Sequence, residues 1–284
     1  PAGLTPPVLT DYLELSVGGT LSVGGLGGMS QRYGAQTDNV AELEVVTPAG
    51  DVVTCSPTRE AALFDAVRAG HGRHGIITSA TLRLVSAPTA VRRYQLPCAD
   101  VDTMIANQIR LVRAGAFDYL EGQILPEPDA ARWQHVVNAA TYLWPPGEGP
   151  SGDPANRDVL DDLTWTANAE VIDELSYASF LDRMAENEAL LRLVGTWSHP
   201  HPWCNVLLPR AAVPAIVTEV MRTLRPADVG ADGLALLYPI PSHRLATPGF
   251  GRPGGALTFL FGLLRTADPD DRPALDAMLR SNRR

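Results

Sequence analysis

Residues 16–34 read SVGGTLSVGGLGGMSQRYG, where six glycines arrive as three adjacent pairs, Gly18–Gly19, Gly24–Gly25 and Gly27–Gly28. Such pairs strip side chains from the main chain, so that another group can approach it closely. Successive backbone N–H groups exposed in this way form a nest that holds an anion without a lysine. All 23 basic residues of this chain are arginine. Schiff-base chemistry and the phosphate-binding lysine of Walker-type NTPases are therefore excluded. The all-arginine usage also points to a GC-rich bacterial genome.

Outward from that stretch the chain punctuates itself clearly. Residues 41–55, AELEVVTPAGDVVTC, read as two β-rich runs around a Pro-Ala-Gly-Asp turn, a hairpin. Ser56 as cap and Pro57 at the first helical position predict a helix with the apolar stripe Leu63, Phe64 and Val67, stopping at Gly70. Residues 76–85, IITSATLRLV, alternate like a half-buried strand. After Ala87 and Pro88 the texture changes to longer helices and alternating strands, so two units are expected, 1–87 and 88–284. In the second, helices are predicted over 100–113, 177–194 and 211–224, and a last one within DRPALDAMLRSNRR; strands are predicted at FDYLEGQIL, WQHVVNAATYLW, WCNVLLP, LALLYPI and ALTFLFGLL. A Pro- and Gly-rich loop is expected between Trp144 and Asp158. Strands mixed with helices without a regular βαβ repeat predict an α+β fold.

Composition narrows the partners. With 284 residues and 45% apolar content the chain can bury a real core. Its net charge of −9 argues against a nucleic-acid or anionic-membrane partner, since no basic face is available to neutralise phosphates. Cys55, Cys98 and Cys204 lie far apart without a C-x-x-C spacing and read as incidental thiols, with no metal site. The pairs His71–His74 and His199–His201 lack a third ligand. GHGRHG at 70–75 matches G-x-G-x-x-G letter by letter, but a helix precedes it and a strand follows. A dinucleotide fingerprint needs the reverse order, and a Rossmann site is rejected. The residues PAGLTPPV at the start lack the basic and apolar regions of a signal peptide. A cytoplasmic location in a bacterium is expected.

The run TDYLELSVGGTLSVGGLGGMSQRYGAQTDNVAELEVVTPAGDVVTCSP, 10–57, together with LFDAVRAGHGRHGIITSATLRL, ASFLDRM and HPWCNVLLPR, resembles cytokinin dehydrogenases. These are FAD enzymes of the vanillyl-alcohol-oxidase-like superfamily. The resemblance implies the C-terminal part of a PCMH-type FAD-binding domain, followed by a cytokinin-binding-like domain with an antiparallel sheet and flanking helices. It implies Asp11 as the active-site aspartate that takes a hydrogen bond or proton from the substrate nitrogen. Ser16, Ser22 and Leu26 match positions that contact FAD, and Ile77 one whose backbone meets the adenine; Gly18 and Gly19 would leave room for the cofactor. Glu121 matches a residue that holds the purine of a small-molecule substrate, and Trp203, Asn205 and Leu264 match pocket walls. From the residues alone, Glu121 on the face of Phe117, Tyr119 and Gln123 also reads as solvated, and Trp203 as a packed aromatic beside a pocket.

The implied reaction oxidises a C–N bond of an N6-substituted adenine or related amine, with the electron acceptor left open. Two alternatives stand beside it: a sugar or alcohol oxidase of the same superfamily, and a flavin-free purine-binding protein. The chain contains no Gly-His-Ser, the segment that in the family wraps the pyrophosphate, and it ends within a helix. A fragment that alone binds FAD weakly or not at all is therefore expected. Val23, Cys204 and Asn187 depart from the residues usual at their positions.

Overall fold

The computed structural model describes residues 3–127, 132–144, 156–166, 168–230 and 232–283. The chain opens with a short strand, β1 (Leu4–Thr5), and the glycine-rich stretch forms two short helices, α1 (Val17–Val23) and α2 (Ser30–Tyr33). The expected hairpin follows as antiparallel β2 (Val40–Val46) and β3 (Val52–Cys55). Ser56 and Pro57 do not start the next helix. The Ser56 hydroxyl accepts the N–H groups of Thr58 and Arg59 in a local turn, and α3 (Ala61–Val67) begins only after Glu60, whose φ of 49° is left-handed. A side chain satisfied within a turn has no free lone pair in place to cap a helix.

GHGRHG then joins α3 to β4 (Ile76–Leu82), helix before and strand after, and His71 and His74 are exposed. β4 pairs with β2 in a sheet of order β3-β2-β4, and β5 (Val85–Ser86) returns to β1. Leu21, Val40, Leu43, Val45, Phe64 and Val67 fill a core between this sheet and the helices.

The strands after residue 88 belong to a different sheet. In chain order come β6 (Ala90–Cys98), α4 (Val101–Ala114), β7 (Tyr119–Pro126), β8 (Trp133–Leu143), α5 (Asn156–Asp161), β9 (Val171–Ser176), α6 (Tyr177–Leu181) and α7 (Ala185–Val194). They continue with β10 (Cys204–Pro209), α8 (Val213–Thr223), β11 (Leu234–Pro241), β12 (Leu257–Leu264) and α9 (Arg272–Ser281). The strands form one antiparallel sheet of order β10-β12-β11-β7-β8-β6-β9, so the architecture is α+β. The loop expected between Trp144 and Asp158 lies outside the described residues up to 155.

Two devices shape the helices. Asp100 caps α4, its carboxylate accepting the Thr103 N–H at 2.7 Å. The helix predicted over 177–194 is broken into α6 and α7 at Asp182–Met184, where Arg183 turns back and donates to the Phe180 carbonyl at 2.8 Å.

The two faces of the large sheet differ in chemistry, because successive strand residues alternate sides. Leu120, Ile124, Val137, Ala139, Ala235, Leu237, Phe259 and Phe261 face α4 and α8 and build the main core; each Leu, Ile, Val or Phe among them contributes about 1.5–3 kcal/mol. The opposite face carries Tyr119, Glu121 and Gln123 on β7 and Tyr238 on β11. Phe117, expected on that second face, precedes β7 and packs instead in the main core, edge-to-face with Tyr94 at 5.4 Å.

The first part of the chain is bonded to this second face. From α2, the buried Gln31 amide donates to the Phe117 carbonyl at 2.6 Å, and Arg32 pairs with Asp118 at 2.7 Å. Asp38 accepts the N–H of Thr247 at 2.7 Å and its hydroxyl at 2.6 Å with one oxygen, and the Ala35 N–H at 2.8 Å with the other.

Candidate active site

Four polar side chains from three parts of the chain converge on the second face. Tyr119 and Glu121 stand two residues apart on β7, hence side by side. Asp11 arrives on the loop before α1, and Arg183 from the break between α6 and α7. The Tyr119 hydroxyl lies 3.0 Å from Asp11 Oδ1, and it is in short hydrogen-bond contact with Glu121 Oε2. Arg183 Nη2 forms an ion pair with Asp11 Oδ1 and donates to the Tyr119 oxygen at 3.0 Å. Gln123 donates to the other oxygen of Glu121 at 2.7 Å. The guanidinium also stacks over Phe180, 4.7 Å from the ring centre.

The glycine pair Gly27–Gly28 makes this convergence possible. A Cβ on Gly27 would strike the Leu9 carbonyl of the segment that carries Asp11, and one on Gly28 would overlap the Tyr119 ring. Gly28 also accepts the Leu120 N–H at 3.0 Å. Here the structure corrects the expectation that all three pairs offer bare backbone to a cofactor. Gly24 and Gly25 are likewise buried, against the Phe250 ring and against Gln36 and Thr20. What comes close to these four glycines is the protein itself.

Burial sets the electrostatics. Glu121 is 2% exposed, and desolvation together with the nearby Asp11 charge pushes its carboxyl up to about 8. The reading of Glu121 as a solvated residue is therefore overturned. Tyr119 and Tyr238 are buried phenols raised well above their ordinary value, first by desolvation and then by the Asp11 and Glu121 charges. Asp11 keeps 29% side-chain exposure and can be reached from outside. Next along the chain a cleft of about 340 Å³ opens between residues 12–14 and α6–α7, lined by Tyr12, Leu13, Met184, Glu188 and Arg192 among others, with none of the four clustered side chains in its lining.

The remaining expected residues fall into two groups. Ser16, Gly18, Gly19, Ser22 and Ile77 come together where α1 packs on β4. A Cβ on Gly18 would lie 2.7 Å from the Ile77 carbonyl oxygen, and the Ser22 hydroxyl bonds back to the Gly18 carbonyl at 2.8 Å. Leu26 is apart from them, packed beside Tyr238 and Ala35. On the sheet, register places Gln123, Leu236, Gly262 and Asn205 in one row across four strands. Asn205 and Leu264 thus share the face of Glu121, while standing toward the β10 edge. Trp203 is 53% exposed, which corrects its reading as a packed aromatic.

FAD fits these residues in part. Ser16 and Gly19 are exposed at the start of α1; the Ser16 hydroxyl already accepts the Gly19 N–H at 3.2 Å, and the N–H groups of Val17 and Gly18 have no carbonyl one turn earlier. Leu13, Leu15, Val17 and Val23 present exposed apolar side chains beside them. An anionic group and a flat ring both find their chemistry there. Among the described residues no group of three or more His, Cys, Asp or Glu converges as metal ligands.

Sequence reasoning reached Asp11 and Glu121 but missed Tyr119 and Arg183. The signal for Tyr119 was its place two residues before Glu121 on an alternating strand. Arg183 lies within ASFLDRM, one of the segments that carry the resemblance, but no local pattern pointed to its partner Asp11, which it meets across 172 residues.

Comparison with known proteins gives the family. Residues 1–56 match the model of an FAD binding domain, and residues 136–284 match one described as cytokinin dehydrogenase 1, FAD and cytokinin binding. Both descriptions name FAD as cofactor. The chain is 39% identical over 279 residues to an uncharacterized oxidoreductase, ORF5 in the fasciation locus of Rhodococcoides fascians, covering 98% of this chain and 61% of that protein. It is 35% identical over 272 residues to cytokinin dehydrogenase 10 of Oryza sativa subsp. japonica, covering 84% and 48%. Among solved structures, BBE-like 1 of Physcomitrella patens superposes with a TM-score of 0.68 at 16% identity, over 99% of this chain and 61% of that one. BBE-like #28 of Arabidopsis thaliana gives 0.66 at 17%, over 99% and 59%. These two share the fold.

Proposed function

The chain belongs to the family described as cytokinin dehydrogenase 1, FAD and cytokinin binding, and from that premise we propose that its gene product oxidises the C–N bond of an N6-substituted adenine or related amine. The observation that carries this reading is the Asp11–Tyr119–Glu121 cluster, with one partly exposed carboxylate and one buried carboxyl joined by a phenol. FAD, when bound, supplies the acceptor for the hydride that leaves the carbon. Ser16, Gly18, Gly19, Ser22 and Ile77, gathered where α1 meets β4, would hold it.

The chain's own residues supply the rest. Asp11 takes the hydrogen bond or proton of the substrate nitrogen, as a positioned carboxylate can. Glu121, which retains its proton near neutral pH, lies at the buried end of the site and meets the purine side of the substrate. Asn205 and Leu264 extend the same sheet face. Because this chain spans 61% and 48% of the two relatives above, the assay belongs on the whole gene product. Dye reduction by isopentenyladenine, absent with aldonolactones and lowered about 10²–10⁴-fold by Asp11→Asn, is the expected outcome. Turnover of aldonolactones in place of the adenine amine would assign the sugar-oxidase activity instead.

A further inference from the structure

Resting on the reading above, we propose that Arg183 is a positioning residue: it holds the negative charge of the carboxylate pair on Asp11 and leaves the pair's single proton on Glu121, with the Tyr119 hydroxyl as the link between them. The argument is one of counting donors. Arginine has N–H donors and no acceptor, so where Arg183 Nη2 meets the Tyr119 oxygen at 3.0 Å, that oxygen accepts. The hydroxyl has one hydrogen and two carboxyl oxygens within reach, Asp11 Oδ1 and Glu121 Oε2. It can donate to one of them only. The other contact must then be made by a proton on the carboxyl group itself.

Three observations place that proton. Asp11 Oδ1 is ion-paired with Arg183, whereas among the described residues no cation is in contact with Glu121. Asp11 is partly exposed and Glu121 is buried, and an unpaired buried charge costs far more than a paired one at the rim. Gln123 donates to Glu121 Oε1, which must therefore be the accepting oxygen, and this puts the proton on Oε2, facing Tyr119. The chain of donors runs from Glu121 to Tyr119 to Asp11, with Arg183 closing it from the other side.

Arg183 itself is held by the Phe180 carbonyl at 2.8 Å and by the Phe180 and Tyr119 rings. The other titratable groups that feel the pair are the phenols of Tyr238 on β11 and Tyr142 on β8, both raised by burial and thus neutral at working pH.

The test uses the flavin-loaded gene product and two readouts. Infrared difference spectra of the substrate-free protein at pH 6.5 should contain a protonated-carboxyl C=O band that Glu121→Gln removes. In Arg183→Gln that band should weaken or move in frequency, because the proton is no longer confined to Glu121, and kcat should fall more than KM changes; Arg183→Lys should restore most of both. A band that survives Glu121→Gln would overturn the proposal, as would an Arg183→Gln variant of normal flavin content whose band is the same as that of the wild type. If Arg183→Gln fails to fold, Arg183→Lys and the Glu121 band still decide. Should the protein turn over no adenine amine, the substrate assignment fails while the band, which needs no substrate, continues to test the proton's location.

Discussion

Gly28 lies against the ring of Tyr119 so closely that a Cβ at position 28 would overlap the ring carbons. A methyl group there must push Tyr119 away from Asp11 or lift residues 27–31 from β7. Gly28→Ala is therefore expected to lower stability by about 1–3 kcal/mol, the usual cost of overpacking, and to cost activity beyond that. Thermal unfolding beside kcat/KM checks it; a variant with both properties at wild-type levels would show that the glycine is not needed for the approach.

Glu121 makes stability fall as pH rises. Its ordinary value is 4.5, and in the folded protein it keeps its proton to about 8. Between those values the folded state binds more proton than the unfolded one, so this group's contribution is full below 4.5 and is lost as pH climbs through 8. The melting temperature should decline from pH 5 to pH 8.5, and Glu121→Gln should flatten that decline. An equal slope in both proteins would remove Glu121 as its source.

Asp38 joins two segments that are far apart in sequence. One oxygen accepts the Ala246 and Thr247 N–H groups and the Thr247 hydroxyl, and the other accepts the Ala35 N–H. Since a bond to a charged acceptor contributes about 1.5–3 kcal/mol, Asp38→Ala should destabilise by at least about 2 kcal/mol. Denaturant unfolding measures this, and a loss under about 0.5 kcal/mol, typical of unremarkable surface sites, would deny the clamp.

The thiols should differ in reactivity. Cys55 and Cys98 are buried, with burial pushing the Cys98 thiol up to about 11, while Cys204 is half-buried at the start of β10. A thiol reagent at pH 8 should modify Cys204 first in the native protein and the other two only on unfolding. Simultaneous reaction of all three under native conditions would contradict this burial.

Much of this protein is legible along the chain. Alternation drew the strand that carries Glu121 and the one after it, helical spacing over 100–113 marked α4, and the helix-then-strand order expected around GHGRHG is the order found. These signals are local: each depends on residues within one turn or one pleat, where spacing and propensity decide. The start of α3 failed because Ser56 has two local uses, capping and turn formation, and propensity does not choose between them. The single helix expected over 177–194 failed because its break serves Arg183, whose partner lies elsewhere.

The residues themselves determined that lysine chemistry is absent, that the fold is α+β, and that closely approached backbone matters between 18 and 28. Only the tertiary structure decided what makes the approach: the Leu9 carbonyl and the Tyr119 ring at Gly27 and Gly28, not an added group. It alone joined Asp11 to Arg183 and Tyr119, because a glycine records that space is required while leaving unstated who fills it, and charge pairing between distant loops leaves no periodic trace in the chain.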